Sequence, residues 1–277
     1  MKIFFFRLFI FLSAITLLGG AINYVESSKF DNILFKWNSL INNKYGIGTS
    51  YLHGKGVEQD KVKGLTIIFN AANNGDESST EFYANILWNN YSKKGVTELS
   101  SKELFTWTKK ASLISNNNIY PHHLGHLYEH GIGVEKNHNS AIQEYKKAMT
   151  RCNDTAKYAL SALLRNGNES SRNYKESFKY KLELAHKGHS FSQYQTALNY
   201  NAGVGVIQNY IEAYAWLLIY KANTDDTFGF DRSLQEELNL KVEKGDVVEA
   251  QERAKALKVL GVFKNISLLC KHSNLID

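Results

Sequence analysis

The chain has 277 residues, 43% of them hydrophobic and 13% aromatic, with a single proline, so it is neither a disordered polymer nor a collagen-like one and can bury a sizeable core. Its formal net charge of +6 falls to +4 once Lys2 and Arg7 are set aside, and the charges are scattered, which argues against a nucleic-acid-binding protein. Two cysteines, Cys152 and Cys270, make no disulfide framework, so stability must come from packing.

At the N-terminus, Lys2 and Arg7 precede an uncharged apolar run over residues 8–22, and Gly19 and Ala21 supply the small side chains that a signal peptidase needs. Residues 1–21 therefore read as a secretory signal peptide cleaved near Ala21. The alternative is an uncleaved anchor, if residues 3–6 are counted toward the ~20 apolar residues of a membrane span. No cysteine follows the run, so lipoprotein attachment is not supported.

Beyond a leader over 22–42, one pattern recurs: Tyr51, Gly54, Gly56 and Val57 return as Tyr128, Gly131, Gly133 and Val134, then as Tyr200, Gly203, Gly205 and Val206. Gly131, Gly167 and Gly203 are spaced by 36 residues, and Ala111, Ala148, Ala185 and Ala222 by 37. Five units fit between Asn43 and Ala222, those around Gly95 and Gly167 being degraded. In the third unit Leu124, Leu127 and Tyr128, then Ala141, Tyr145 and Ala148, recur at helical spacing on either side of Gly131-Ile132-Gly133-Val134. Each unit is thus expected to be two helices joined by a glycine turn, with the first glycine in the left-handed region past a helix end. Gly48, Gly125, Ser161 and Ala197 stand in register three positions before an aromatic or leucine site, where lack of bulk lets helix backbones approach. Tyr51, Tyr128 and Tyr200, repeated on the apolar side of a helix, read as core.

His122, His123, His126 and His130 form the one cluster with chemical promise. Pairs four apart on a helix can reach one zinc ion, but no nearby acid or cysteine completes a ligand set, and the histidines read as solvent-facing. No nucleophile elbow, phosphate-binding glycine loop or Cys-x-x-Cys is present. No catalytic residue, metal or cofactor is expected.

The third unit, Leu124-Gly125-x-x-Tyr128-x-x-Gly131-x-Gly133-Val134 followed by Ala141, Tyr145, Lys147 and Ala148, resembles a Sel1-like repeat. The fifth, with Ala213, Trp216, Tyr220 and Ala222 after its turn, is nearly as similar, and the first matches through Gly48, Tyr51, Gly54, Gly56, Ala71, Ala72 and Gly75. The resemblance implies an all-α fold, a right-handed αα-hairpin solenoid of about five repeats over 43–222, with C-terminal capping helices over 223–262 and a tail over 263–277. Asp246 with Glu249 is read as a capping box opening an amphipathic helix that closes the stack.

The same resemblance implies a non-enzymatic scaffold or adaptor of the bacterial cell envelope that binds a protein or peptide on its concave face. Periplasmic localisation is expected, or inner-membrane anchoring if the leader is retained, which is the only membrane contact foreseen. Alternatives are a periplasmic immunity protein neutralising a delivered toxin, and a module that binds or hydrolyses peptidoglycan or β-lactam material. By analogy with tetratricopeptide arrays, whose first helices line the groove, the candidate partner-binding residues are His53, Asn89, His126, His130, Arg165, Asn199 and Asn201.

Overall fold

The computed structural model describes residues 27–95, 97–150, 153–224 and 230–260. The expected signal peptide, both cysteines and the tail lie outside them. Among the described residues there are thirteen helices and no strand, and no helix is long and apolar enough to cross a membrane. The chain divides after Gly95 into two compact units, 1–95 and 96–277.

The first unit contains α1 (Ser27–Leu40), α2 (Lys44–His53), α3 (Lys61–Asn73) and α4 (Glu77–Lys94). The second contains α5 (Glu98–Ile114), α6 (Ile119–His130), α7 (His138–Met149), α8 (Asp154–Asn166), α9 (Tyr174–His186), α10 (Ser190–Ala202), α11 (Tyr210–Asn223), α12 (Phe230–Asn239) and α13 (Lys244–Leu260). Within each unit consecutive helices pack on one another as far as α12, most closely in the hairpins α2/α3, α6/α7 and α10/α11. First helices also touch first helices, α2 with α4 and α6 with α8, so each unit is a stack of αα-hairpins.

Three glycine turns are built alike. Gly54, Gly131 and Gly203 end their helices in the left-handed region and donate their N–H to Ser50, Leu127 and Asn199. A second glycine two residues on, Gly56, Gly133 or Gly205, again has positive φ. A Cβ there would overlap the carbonyl oxygen of Asp31, Ser101 or Tyr174 respectively, each near the start of the preceding helix. One turn further along that helix a phenylalanine meets the repeat tyrosine edge-on: Phe35 with Tyr51, Phe105 with Tyr128 and Phe178 with Tyr200, at 5.7, 5.3 and 5.2 Å between ring centroids. Each such pair contributes about 0.5–1.5 kcal/mol beyond its buried area. The three tyrosines are half-buried in these contacts.

Each turn hands the chain to a side-chain N-cap. Asp60, Asn137 and Asn209 donate their backbone N–H to the carbonyls of Tyr51, Tyr128 and Tyr200, while their side chains accept from the third residue onward. Asn173 does the same at the fourth unit although Gly167 has φ −65 and makes no left-handed turn. Replacing such a cap by alanine typically costs about 1 kcal/mol.

Two helices of a hairpin cross where both carry a small residue, sixteen positions apart in sequence: Gly48 and Gly64, Gly125 and Ala141, Ser161 and Ser177, Ala197 and Ala213, all buried. The Tyr145 ring fills the space a Cβ on Gly125 would take, at 2.7 Å. The Ser177 hydroxyl donates to the Ser161 carbonyl at 2.6 Å. The second unit of the repeat keeps this position as Ala84, also buried. Gly48 to Ala84, Gly125 to Ser161 and Ser161 to Ala197 are each 36 residues, whereas Ala84 to Gly125 is 41. Much of the added length is in α4, 18 residues long against 13 for α8 and α10. Placing that repeat by Gly95 therefore missed its small residue.

The 37-residue alanine series needs the same correction. Caps Asn137, Asn173 and Asn209 obey 36, so the alanines slip by one residue per unit, about 100° around a helix. Ala111, Ala148 and Ala185 are buried, but Ala222 has turned into solvent.

At the C-terminal end, α12 and α13 pack on α11, burying Leu234, Leu238, Ala250, Ala254 and Leu257 against Trp216 and Leu217. The helix starts earlier than the capping-box reading placed it: Asp246 lies inside α13 and its carboxylate reaches back to accept the Glu243 N–H at 2.9 Å. Val248 points into solvent.

Gly131→Ala and Gly133→Ala should separate the two roles of the turn. Positive φ alone costs about 1–2 kcal/mol at either site. At Gly131 a Cβ meets only Lys136, at 3.3 Å, whereas at Gly133 it must displace the Ser101 backbone. Thermal melting should fall by about 2–4 °C per kcal/mol, and clearly further for Gly133→Ala. Equal losses would show that the approach of α5 to the turn contributes nothing.

Candidate partner-binding face

The seven candidate residues are divided between the two units. His53 and Asn89 are exposed in the first unit, on α2 and α4. In the second unit, Asn199 and Asn201 must be withdrawn as binding residues, being only 1% and 6% exposed. Asn199 donates to the Val204 carbonyl and accepts from Arg165 Nη1 at 2.9 Å, which secures the fifth unit's turn and joins α8 to α10. Asn201 donates to Glu237 and accepts from Lys241, tying α10 to the capping helices. The two flank the aromatic position, Tyr200, in the last turn of α10, and a short amide there satisfies backbone and side-chain groups that would otherwise be buried alone. Arg165 is half-buried in the same network. Next to it lies Lys181 of α9, buried, its Nζ donating to Gln195 Oε1 at 3.1 Å. Burial, with a smaller contribution from the Arg165 charge, pushes its pKa down to about 8.

The histidines of α6 are not solvent-facing as a group. His130 is exposed, His122 and His126 are half-buried and His123 is buried. The His126 and His130 rings lie 4.2 Å apart, and His122 faces the Tyr145 ring at 5.9 Å. The Tyr145 hydroxyl donates to Glu129 at 2.6 Å, and burial pushes its pKa up. The fold places these side chains inward because one face of α6 closes on α7 and α5 and the other on α8. No group of three or more potential ligands capable of holding a metal occurs among the described residues.

A different surface emerges from the 36-residue period. His122, Tyr158 and Tyr194 occupy the same position on α6, α8 and α10, and each ring is half-exposed. One turn earlier, Ile119 and Phe191 are 37% and 47% exposed. Tyr158 contacts Phe191 at 6.1 Å and His189 at 5.4 Å, and Tyr194 packs on Tyr220 at 5.3 Å. The first-helix face of the second unit is therefore a row of apolar-bodied rings with polar edges. Such rings give large contact area at low entropic cost, as aromatic anchors of interfaces do. Spacing by 36 from His122 would have revealed this row; attention to variable residues near the helix ends missed it.

The histidine burial has a pH consequence. Burial, reinforced by neighbouring histidine charges, lowers the pKa of His123 to about 3 and of His126 to about 4, from an ordinary 6.5. Below pH 6.5 the unfolded chain takes up protons that the folded chain refuses, so stability rises with pH in this window. The stability is complete above about 6.5 and is lost progressively as pH falls toward the folded values. Melting temperature measured from pH 7.5 to pH 4.5 should drop, and His123→Asn should flatten that slope whatever it does to stability at pH 7.5. An unchanged slope would mean that His123 is accessible to protons in the fold.

Four stretches, 43–76, 122–148, 155–189 and 190–219, match the family model for the Sel1 repeat. No curated protein sequence is significantly similar to the chain. Among solved structures, a Sel1 repeat protein from Oxalobacter formigenes is similar at 22% identity, with a TM-score of 0.55 over 77% of this chain and 86% of that one. The structure of c5321, a protective antigen present in uropathogenic Escherichia coli strains and displaying an SLR fold, is 21% identical, with a TM-score of 0.43 over 83% of this chain and 56% of that one. With four repeats matched and the hairpin stack that they imply in place, the chain belongs to the Sel1-like repeat family.

Proposed function

We propose that this protein is a non-enzymatic scaffold or adaptor of the bacterial cell envelope, which grips a protein or peptide on the first-helix face of its second unit. Sel1 repeat proteins generally mediate protein–protein interaction, and catalysis is not typical of the family. The observation that carries the more specific reading is the row of half-exposed rings at His122, Tyr158 and Tyr194, bordered by exposed Ile119 and Phe191. A repeated, partly wet aromatic row is poorly explained by packing alone, since full burial would stabilise the stack more at the same positions. The envelope assignment rests on the apolar N-terminal run behind Lys2 and Arg7.

Phe191→Ser with Tyr158→Ser tests the reading. Both side chains keep solvent contact, so melting temperature should move only by a few degrees. Capture of the partner from the host envelope fraction should fall about tenfold or more, the equivalent of ~1.4 kcal/mol. Capture unchanged by this pair, but abolished by changes elsewhere on the second unit, would move the site off the aromatic row.

A further inference from the structure

One turn beyond the small-residue crossing, each hairpin carries a second pair of facing positions, again sixteen residues apart. They hold Leu52 and Ile68 in the first repeat, Glu129 and Tyr145 in the third, Arg165 and Lys181 in the fourth, and Asn201 and Leu217 in the fifth. The third repeat joins its pair by a hydrogen bond from the Tyr145 hydroxyl to Glu129. The fourth alone sets two cations together. Lys181 is 2% exposed and its Nζ donates to Gln195 Oε1, while Arg165 Nη1 donates to Asn199 Oδ1. Both acceptors are neutral amides, so neither bond brings a negative charge. The acids of α8 and α9 are engaged elsewhere: Asp154 with Lys187, Glu176 with Lys146 and Glu183 with Lys157. The sequence of α10 contains none. Arg165 and Lys181 therefore form no ion pair among the described residues.

Buried charges are normally paired, and a buried cation beside a second cation is unfavourable on both counts. Burial and the Arg165 charge both push the pKa of Lys181 down, to about 8, which leaves the amine mostly protonated at neutral pH. We propose that Arg165 and Lys181 form a carboxylate-binding site, completed by an acid of the partner peptide. This deepens the reading of the first-helix face as the binding face and rests on it for the source of the acid. Arg165 follows Tyr158 by seven residues on α8, close to two turns, so the two share one side of the helix about 10 Å apart. Both are half-exposed, as is Gln195, one turn beyond Phe191 on α10. The cation pair is thus reached from the aromatic row. An extended peptide anchored on those rings covers the distance in about three residues. The planar guanidinium suits a carboxylate, which it can take with two parallel N–H donors. A single negative charge is favoured over a phosphate dianion, because Arg165 stands in the last turn of α8, where the helix carbonyls are already partly negative.

The test begins without a peptide. Sodium acetate at ~100 mM, compared with sodium chloride at equal ionic strength, should raise the melting temperature of the full chain by a few degrees. Lys181→Met should abolish the difference between the salts, with melting in chloride unchanged or higher because an unpaired buried cation is gone. Arg165→Gln, at a half-exposed position, should weaken the difference without loss of helix content by circular dichroism. Two peptides then separate the sources of the acid: acetyl-Leu-Ala-Ala-Asp-amide offers a side-chain carboxylate, and acetyl-Leu-Ala-Ala-Ala with a free C-terminus offers a terminal one. At least one should bind the full chain and weaken about tenfold on Lys181→Met, and the tighter of the two identifies the source. The site is overturned by melting indifferent to acetate, by an acetate effect that survives Lys181→Met, or by a larger effect of inorganic phosphate at the same ionic strength. Binding of neither peptide overturns it as well. The acetate difference should persist in Tyr158→Ser with Phe191→Ser, so failure of the aromatic row and failure of the cation pair show in different measurements.

Discussion

The stack depends on a backbone-to-backbone contact at the second turn glycine. Gly56, Gly133 and Gly205 each lie against a carbonyl oxygen near the start of the preceding helix, so close that no side chain fits between. That contact sets the distance between one repeat and the next. Everything built on it follows: the phenylalanine one turn further reaches the repeat tyrosine, the cap residue turns back to that tyrosine's carbonyl, and the next helix starts in register. A hairpin of this kind has little reason to hold its shape alone, because its tyrosine packs on a phenylalanine of the preceding helix.

Much of this was legible in the sequence, and for a physical reason. Positive φ and close helix crossings both demand residues without bulk, and such residues, recurring at a fixed interval, stand out against a chain rich in aromatic and aliphatic side chains. The turn glycines and the small residues at Gly48, Gly125, Ser161 and Ala197 were therefore visible in advance. What the glycines touch was not visible, because the partner is a carbonyl oxygen and any residue can present one. Asp31, Ser101 and Tyr174 have nothing in common as side chains. The phase of the second repeat was hidden for a related reason: added residues lengthen a helix without any change of composition, and Gly95, also at positive φ, ends the lengthened helix.

The candidate binding residues were the least legible part. A polar residue near the end of a first helix can point to solvent or fold back on its own turn, and composition does not separate the two. Asn199 and Asn201 fold back because buried carbonyls and the Glu237–Lys241 pair need partners there, whereas His53 and Asn89 do not. The histidines of α6 were misjudged because exposure was inferred from polarity, while a neutral imidazole buries much like a small aromatic ring. The row of His122, Tyr158 and Tyr194 lay in plain view at the repeat period but reads as core until the exposure of each ring is known.

The small-residue crossings differ from hairpin to hairpin, and the difference bears on how such a chain avoids assembling wrongly. Repeats of one length and one cap chemistry invite a first helix to close on the second helix of another repeat. Here each crossing has its own shape: two glycines with an isoleucine across them, a glycine covered by a tyrosine ring, two serines joined by a hydrogen bond, and two alanines. Exchanging partners would set Tyr145 against Ser161 or Ala197, where there is no room for its ring, or leave the Ser177 hydroxyl facing an alanine. The pairs thus act as keys of different cut on a common frame, so that a chain built by repetition still pairs each helix with one mate.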